Sequence, residues 1–117
     1  MWNKPTTEDL RNLPPLYATE DTPLKEKVIH MHFFLGGCDW YAAEYDPDQE
    51  LFFGFVILNN DYEMAEWGYF SLPELAEIKA SFMEVDRDLH FPPKQAQEIA
   101  DICKAQGWQR KEPITSI

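Results

Sequence analysis

Three groups of residues in this chain have types and spacings that could do chemistry: a His-x-His pair, two acidic triplets, and a cysteine that follows two glycines. On a strand, His30 and His32 would project from one face about 6.6 Å apart, a spacing that can present two nitrogens to one metal ion. A zinc or iron centre needs at least a third ligand, and Glu44 and Glu66, carboxylates set in apolar and aromatic surroundings, are the candidates. A metal-bound water would then serve as a hydrolytic nucleophile. Whether Glu44 reaches the histidines depends on the loop between them. A three-residue loop, Gly36 to Cys38, sets His30 opposite Glu44, whereas a loop of two, Gly36-Gly37, or of four, Gly36 to Asp39, turns Glu44 towards Ile29 or Met31 and removes the site. The ordinary role of sheet histidines is hydrogen bonding to neighbours or solvent, and with that role goes no cofactor.

Asp46, Asp48 and Glu50 recur at every second residue, and so do Glu84, Asp86 and Asp88. Wherever the backbone is extended, each triplet aims three carboxylates one way. One reading is a charged strand edge that guards against aggregation. The functional reading makes these six residues a binding face for a basic partner protein, with a nucleic-acid-binding protein whose phosphate site it occupies as one version. Arg87, between Asp86 and Asp88, would project to the opposite face as an ion-pair partner. Asp46-x-Asp48-x-Glu50 does not open a calcium loop, because Leu51 stands where the sharp turn demands glycine. Cys38 could be a nucleophile beside the histidine strand, but nothing in the sequence lowers its pKa. There is no glycine-rich phosphate loop, G-x-S-x-G elbow, H-E-x-x-H helix or C-x-x-C pair, which disfavours acyl transfer and nucleotide hydrolysis by these motifs.

The elements that would position these residues follow from composition and period. With 117 residues the chain is the size of one domain, and eight Phe, five Tyr and four Trp supply enough apolar area to fold it. Ten Lys and Arg against 21 Asp and Glu give a net charge of −11, which excludes a phosphate-tracking groove and disfavours anionic membrane surfaces. The aromatic set Trp40, Tyr41, Trp67, Tyr69 and Phe70 is for the same reason better read as core than as a nucleic-acid stacking platform. No apolar run reaches the roughly 20 residues of a spanning helix, and MWNKPTTEDL lacks a secretory core, so the expected location is cytoplasmic, with Cys38 and Cys103 as free thiols.

Residues 1–27, polar and broken by Pro14-Pro15, read as an arm with a short helix capped by Thr6 or Thr7; residues 28–117 read as a single α+β domain. The predicted architecture is a four-stranded antiparallel meander sheet with two C-terminal helices. Strands are expected at 28–35, with Ile29, Met31, Phe33 and Leu35 on one face, then at 39–45, 51–58 and 64–70, the third of them at the sheet centre. Ser71-Leu72-Pro73-Glu74 opens a helix to about Lys79, and a second helix is expected over 94–106 with Gly107 as its stop.

The ordered words Leu16-Tyr17, His32-Phe33-Phe34, Asp39-Trp40-Tyr41, Glu44-Tyr45-Asp46, Phe53-Gly54, Glu66-Trp67-Gly68-Tyr69, Glu74-Leu75 and Asp86-Arg87-Asp88-Leu89-His90 resemble the DUF2958 family over roughly residues 13–105. The resemblance implies a small bacterial protein of the kind carried by plasmids, integrative elements and phages, with no catalytic residues to carry over. The expected function is that of an acidic, non-enzymatic interaction protein of a mobile element that binds a basic protein surface, with anti-defence or anti-CRISPR inhibition as a specific version. The rivals are a metal-dependent hydrolase built on His30, His32 and Glu44 or Glu66, and a structural homodimer subunit. His32, Glu44, Glu66, Asp88 and His90 discriminate: converging, they would make a site; dispersed, they are hydrogen bonders that specify the fold.

Overall fold

The computed structural model describes residues 1–112, so the last five residues of the expected 28–117 domain lie outside the described residues. Helix α1 (Thr7–Leu10) begins the arm, and its start is fixed by a capping box: Asp9 N–H donates to Thr6 Oγ1 at 3.2 Å, and Thr6 N–H donates to the Asp9 carboxylate at 2.8 Å. Past Pro14-Pro15 the chain runs through turns and a single 3₁₀ turn, Leu24–Glu26, before the sheet begins. Strands β1 (Val28–Ile29), β2 (Met31–Leu35), β3 (Cys38–Asp46), β4 (Leu51–Ile57) and β5 (Glu66–Ser71) follow, then α2 (Leu72–Glu77), the small hairpin β6 (Lys79–Ala80) and β7 (Met83–Glu84), β8 (Asp86–Arg87), β9 (Lys94–Gln95) and α3 (Ala100–Gln106). No helix among the described residues is long and apolar enough to cross a membrane.

The protein is a mixed α/β fold around an antiparallel sheet, but the main sheet has five strands, in the order β5-β4-β3-β2-β8. The meander β2 to β5 is the predicted one; the acidic stretch after Val85 adds Asp86–Arg87 to its far side, opposite Phe34 and Phe33. This fifth strand moves the centre from β4 to β3. Residues Trp40 to Tyr45 of β3 are all buried, because each face of the sheet carries its own core. Met31, Phe33, Trp40, Phe52 and Phe70 meet Leu13 of the arm and Leu72 and Leu75 of α2 on one face; Tyr41, Phe55 and Ile57 meet Ala96, Ile99 and Ile102 on the other.

Two elements are shorter than predicted. Residues Lys94 and Gln95 are extended because they pair with Ile29 and Val28 instead of opening the helix, and α3 starts only at Ala100. It ends at Gly107, as its left-handed φ of 70° requires. Helix α2 stops at Glu77 because Ile78 is already extended and leads into β6.

The alternation predicted for the first strand breaks at His30. There the backbone kinks, with His30 N–H donating to Ala42 O at 2.8 Å, and Ile29 joins the core on the opposite face from Met31. Across from this kink β3 carries a bulge: Ala42 pairs with Gly54 and Glu44 with Phe53, leaving Ala43 as the extra residue. The bulge presses the Tyr41 carbonyl against β4, so that a Cβ on Gly54 would sit 1.8 Å from that oxygen, whereas a Cβ on Gly68, the β5 partner of Gly54, would meet nothing within 4 Å. Gly54→Ala is therefore expected to cost about 3 kcal/mol in urea unfolding and Gly68→Ala no more than about 0.5 kcal/mol. Equal losses at the two positions would show that β3 does not approach β4 as described.

Candidate functional site

The two acidic triplets do not form ordered ranks. Asp46 ends β3 and its carboxylate accepts from Asp48 N–H at 3.0 Å and Gln49 Nε2 at 2.9 Å, while Glu50 takes a left-handed φ of 51°. The three acids thus surround a four-residue turn instead of lining a strand. Glu84, Asp86 and Asp88 lie on β7, on β8 and beyond it, each with its own partner. Glu84 binds the amino terminus, which holds its carboxyl below the usual range. Asp86 accepts from Asn3 Nδ2 at 2.8 Å and Asp88 from His90 N–H at 3.0 Å. Arg87 donates to Asn3 O at 3.0 Å and reaches the Asp9 carboxylate at 3.4 Å, tying β8 to the arm. The carboxylates do not align because the backbone is extended over too few residues in either stretch.

The histidine and glutamate set expected for zinc or iron is likewise dispersed. Leu35 pairs with Cys38, so the hairpin loop is the two-residue Gly36-Gly37, the register that parts Glu44 from the histidines. The kink at His30 then separates the histidines from each other. His32 stacks on Tyr41, 4.4 Å between ring centres and 6° from parallel, with Nε2 2.7 Å from Asp39 Oδ1. His30 instead lines a cavity of about 220 Å³ with Asp9, Asn12, Arg87, Asp88 and Phe91. Glu66 is exposed on β5. Among the described residues no three His, Cys, Asp or Glu side chains are grouped to hold a metal ion.

Where Glu44 went is the most informative result. The bulge at Ala43 turns its side chain to the face of Phe53, where it is 3% exposed and must find partners or lose its charge. It finds them in the arm. Tyr17 N–H donates to Oε1 at 2.9 Å, Thr19 N–H donates to Oε2 at 3.3 Å, and the Thr19 hydroxyl donates to the same oxygen. Lys27, also buried, lies 4.0 Å from Oε2 and donates to Thr19 O and, at 2.9 Å, to Thr19 Oγ1. Thr19 is thus wedged between a carboxylate and an ammonium, and Tyr17, a bulky residue at φ 71°, is held in the left-handed region. Tyr17, Leu24, Phe53 and Tyr69 rim a recess of about 300 Å³ over the pair. Sequence reasoning missed Thr19 and Lys27, which sit in a polar stretch without period; the available signal was Glu44 itself, a carboxylate inside an apolar word.

A second polar group fastens α3 to the sheet. Tyr41 OH donates to Asp101 Oδ2 at 3.1 Å, and Tyr62 OH approaches Oδ1 at 3.5 Å. Burial, then the charges of Asp101 and Asp39, push the Tyr41 hydroxyl far up, so it stays a donor. Burial also raises the Cys103 thiol, whose Sγ donates to Gln97 O at 3.2 Å, so this cysteine is poorly nucleophilic. These polar groups hold elements together rather than converge on a reacting atom.

A family model described as protein of unknown function (DUF2958) matches residues 11–107. The chain belongs to this family. No curated protein and no solved structure matches it. The DUF2958 match begins in the arm, just after α1, and ends at Gly107, the residue that caps α3, so it takes in every described strand, the Glu44–Lys27 pair and the Tyr41–Asp101 hydrogen bond. Of the polar residues inside the DUF2958 words, Glu44, His32 and Asp88 make separate fold-specifying hydrogen bonds, while Glu66 and His90 are exposed.

His30 gives this DUF2958 protein a pH dependence with a definite sign. Burial holds its imidazole below the usual histidine value of 6.5, so the folded state favours the neutral ring. Its contribution to stability is complete above pH 6.5 and is lost as the pH falls through the lower, folded value. A proton NMR titration should place the His30 midpoint below 6.5, and His30→Phe should flatten the slope of stability against pH in that window. A midpoint above 6.5 would contradict the burial described.

Proposed function

We propose that the protein is a non-enzymatic, acidic interaction protein that acts by docking on a basic surface of another protein. The observation that carries this reading is the charge left unpaired after folding. Of 21 carboxylate side chains, Asp9, Glu44 and Glu84 pair with a cation among the described residues and Asp39 shares a hydrogen bond with the His32 ring, which leaves 17 with neither. With net charge −11 and ten Lys and Arg, the surface potential steers cationic partners and repels anionic ones. The carboxylates are distributed around the molecule: Asp46, Asp48 and Glu50 frame the β3–β4 turn, whereas Asp61 and Glu66 flank the loop into β5. The groups best suited to acid–base or nucleophilic work support the same reading, because Glu44, His32, Tyr41 and Cys103 are each engaged in hydrogen bonds that join elements.

A nucleic-acid-binding partner is the specific form of this proposal, since its phosphate site would present the dense positive charge that such a surface complements. Inhibition of a defence protein, in the setting of a mobile element, is the narrower form suggested by the family resemblance. Partner capture followed by binding measurements at rising salt tests the reading. Affinity is expected to fall roughly tenfold or more between 50 and 500 mM salt, through a slower on-rate. Affinity indifferent to ionic strength would overturn charge-led docking.

A further inference from the structure

Strand β5 is a border of the main sheet, and it is an unguarded one. Its six residues pair with β4 in unbroken register, and among the described residues no backbone group of Glu66 to Phe70 is bonded outside that ladder. Exposed edges are normally blunted by proline, lysine, a bulge or shortness. The opposite border, β8, is two residues long and tied down by Arg87 and Asn3. Strand β5 has none of these devices; its single charge is Glu66.

Beside this edge lies a trough of about 410 Å³ whose walls include Val56, Leu58, Asp61, Met64, Glu66 and Gly68. Gly68 leaves it open, since a Cβ there would meet nothing within 4 Å. Leu58 and Met64 stand 51% and 75% exposed along it. The Glu66 carboxylate has no hydrogen bond among the described residues, and Asp61 uses one oxygen, accepting from Met64 N–H at 3.2 Å. Apolar walls with two carboxylates match a long aliphatic stem that ends in a cation, the form of a lysine or arginine side chain.

We propose that β5 takes up an extended, Lys- or Arg-bearing segment of the basic partner as an added strand, with one cationic side chain of that segment lying in the Gly68 trough and its head on Asp61 and Glu66. The inference rests on the acidic-interaction reading above and names the surface and the partner's form. Main-chain hydrogen bonds to the open edge supply sequence-independent affinity, and the trough, meeting every second side chain, supplies selectivity for positive charge. On the other face of the added strand, Trp67 and the exposed Tyr69 offer aromatic surface to the alternate side chains. A second copy of this chain fits less well, because it would bring two molecules of net charge −11 edge to edge.

The test uses the full chain with two synthetic seven-residue peptides, one alternating valine and arginine, the other alternating valine and glutamate, followed by NMR. The arginine peptide is expected to bind, to slow amide exchange within residues 66–69, and to bind about tenfold more weakly to a Glu66→Gln, Asp61→Asn double variant; the glutamate peptide is expected not to bind. Failure of the arginine peptide to bind at millimolar concentration overturns the proposal. So does binding that shifts the β3–β4 turn and leaves residues 66–69 unchanged, an outcome that would retain charge-led docking while moving its surface. Protection of residues 66–69 that grows with protein concentration alone would assign the edge to a second copy and also overturn it. Loss of salt dependence in partner binding, by contrast, removes the parent reading.

Discussion

One buried carboxylate organises much of this molecule. Moving an unpaired Glu side chain out of water costs on the order of several kcal/mol, so the fold that buries Glu44 must bring it donors. The donors come from the arm: the backbone N–H groups of Tyr17 and Thr19, the Thr19 hydroxyl and the Lys27 ammonium. That requirement explains why the stretch from Tyr17 to Lys27, whose one regular piece is a 3₁₀ turn, is nonetheless fastened to the middle strand of the sheet. It also explains the irregular backbone nearby. Without the bulge at Ala43, Glu44 would face the side of Trp40 and Phe52, where apolar side chains could not satisfy it; with the bulge, Gly54 becomes the only residue type that fits opposite.

The consequence for function is that burial and reactivity part company. In many enzymes a buried carboxylate, a histidine paired with an aspartate and a tyrosine on a carboxylate would converge on one cavity. Here each serves a different seam: Glu44 joins arm to sheet, Tyr41 and Asp101 join α3 to sheet, and His32 with Asp39 closes the first hairpin. What remains free is on the outside, where charge is abundant and the β5 border is open. These two features, interior polar groups engaged in seams and a surface strongly of one sign, are what the proposed role in recognition rests on.

Much of this fold was legible in the sequence. Period-two runs, the paired glycines, Asp46-Pro47-Asp48, the Ser71 cap and the Gly107 stop located the meander, the start of α2 and the end of α3, because each is a local signal with a local cause. What could not be read is what two distant segments decide jointly. Strand β8 exists because the exposed edge of β2 accepts Asp86 and Arg87; the extended Lys94 and Gln95 exist because Val28 and Ile29 meet them. The metal-like His30, His32 and Glu44 set depended on a hairpin parity that two alternatives left open, and on a kink at His30 that no residue type announced. The acidic triplets misled for a related reason: spacing of two has meaning only where the chain is extended, and a turn at Pro47 and a break at Val85 end that condition.

Amide hydrogen exchange of Tyr17 and Thr19 tests the central claim most directly, since these two N–H groups lie in an irregular segment and have the Glu44 carboxylate as their acceptor. The account predicts exchange slowed by roughly a thousandfold or more relative to an unstructured peptide, and close to that of the core strands. Exchange of both at the rate of an open loop would contradict it and would leave Glu44 without the partners on which the packing of the arm depends.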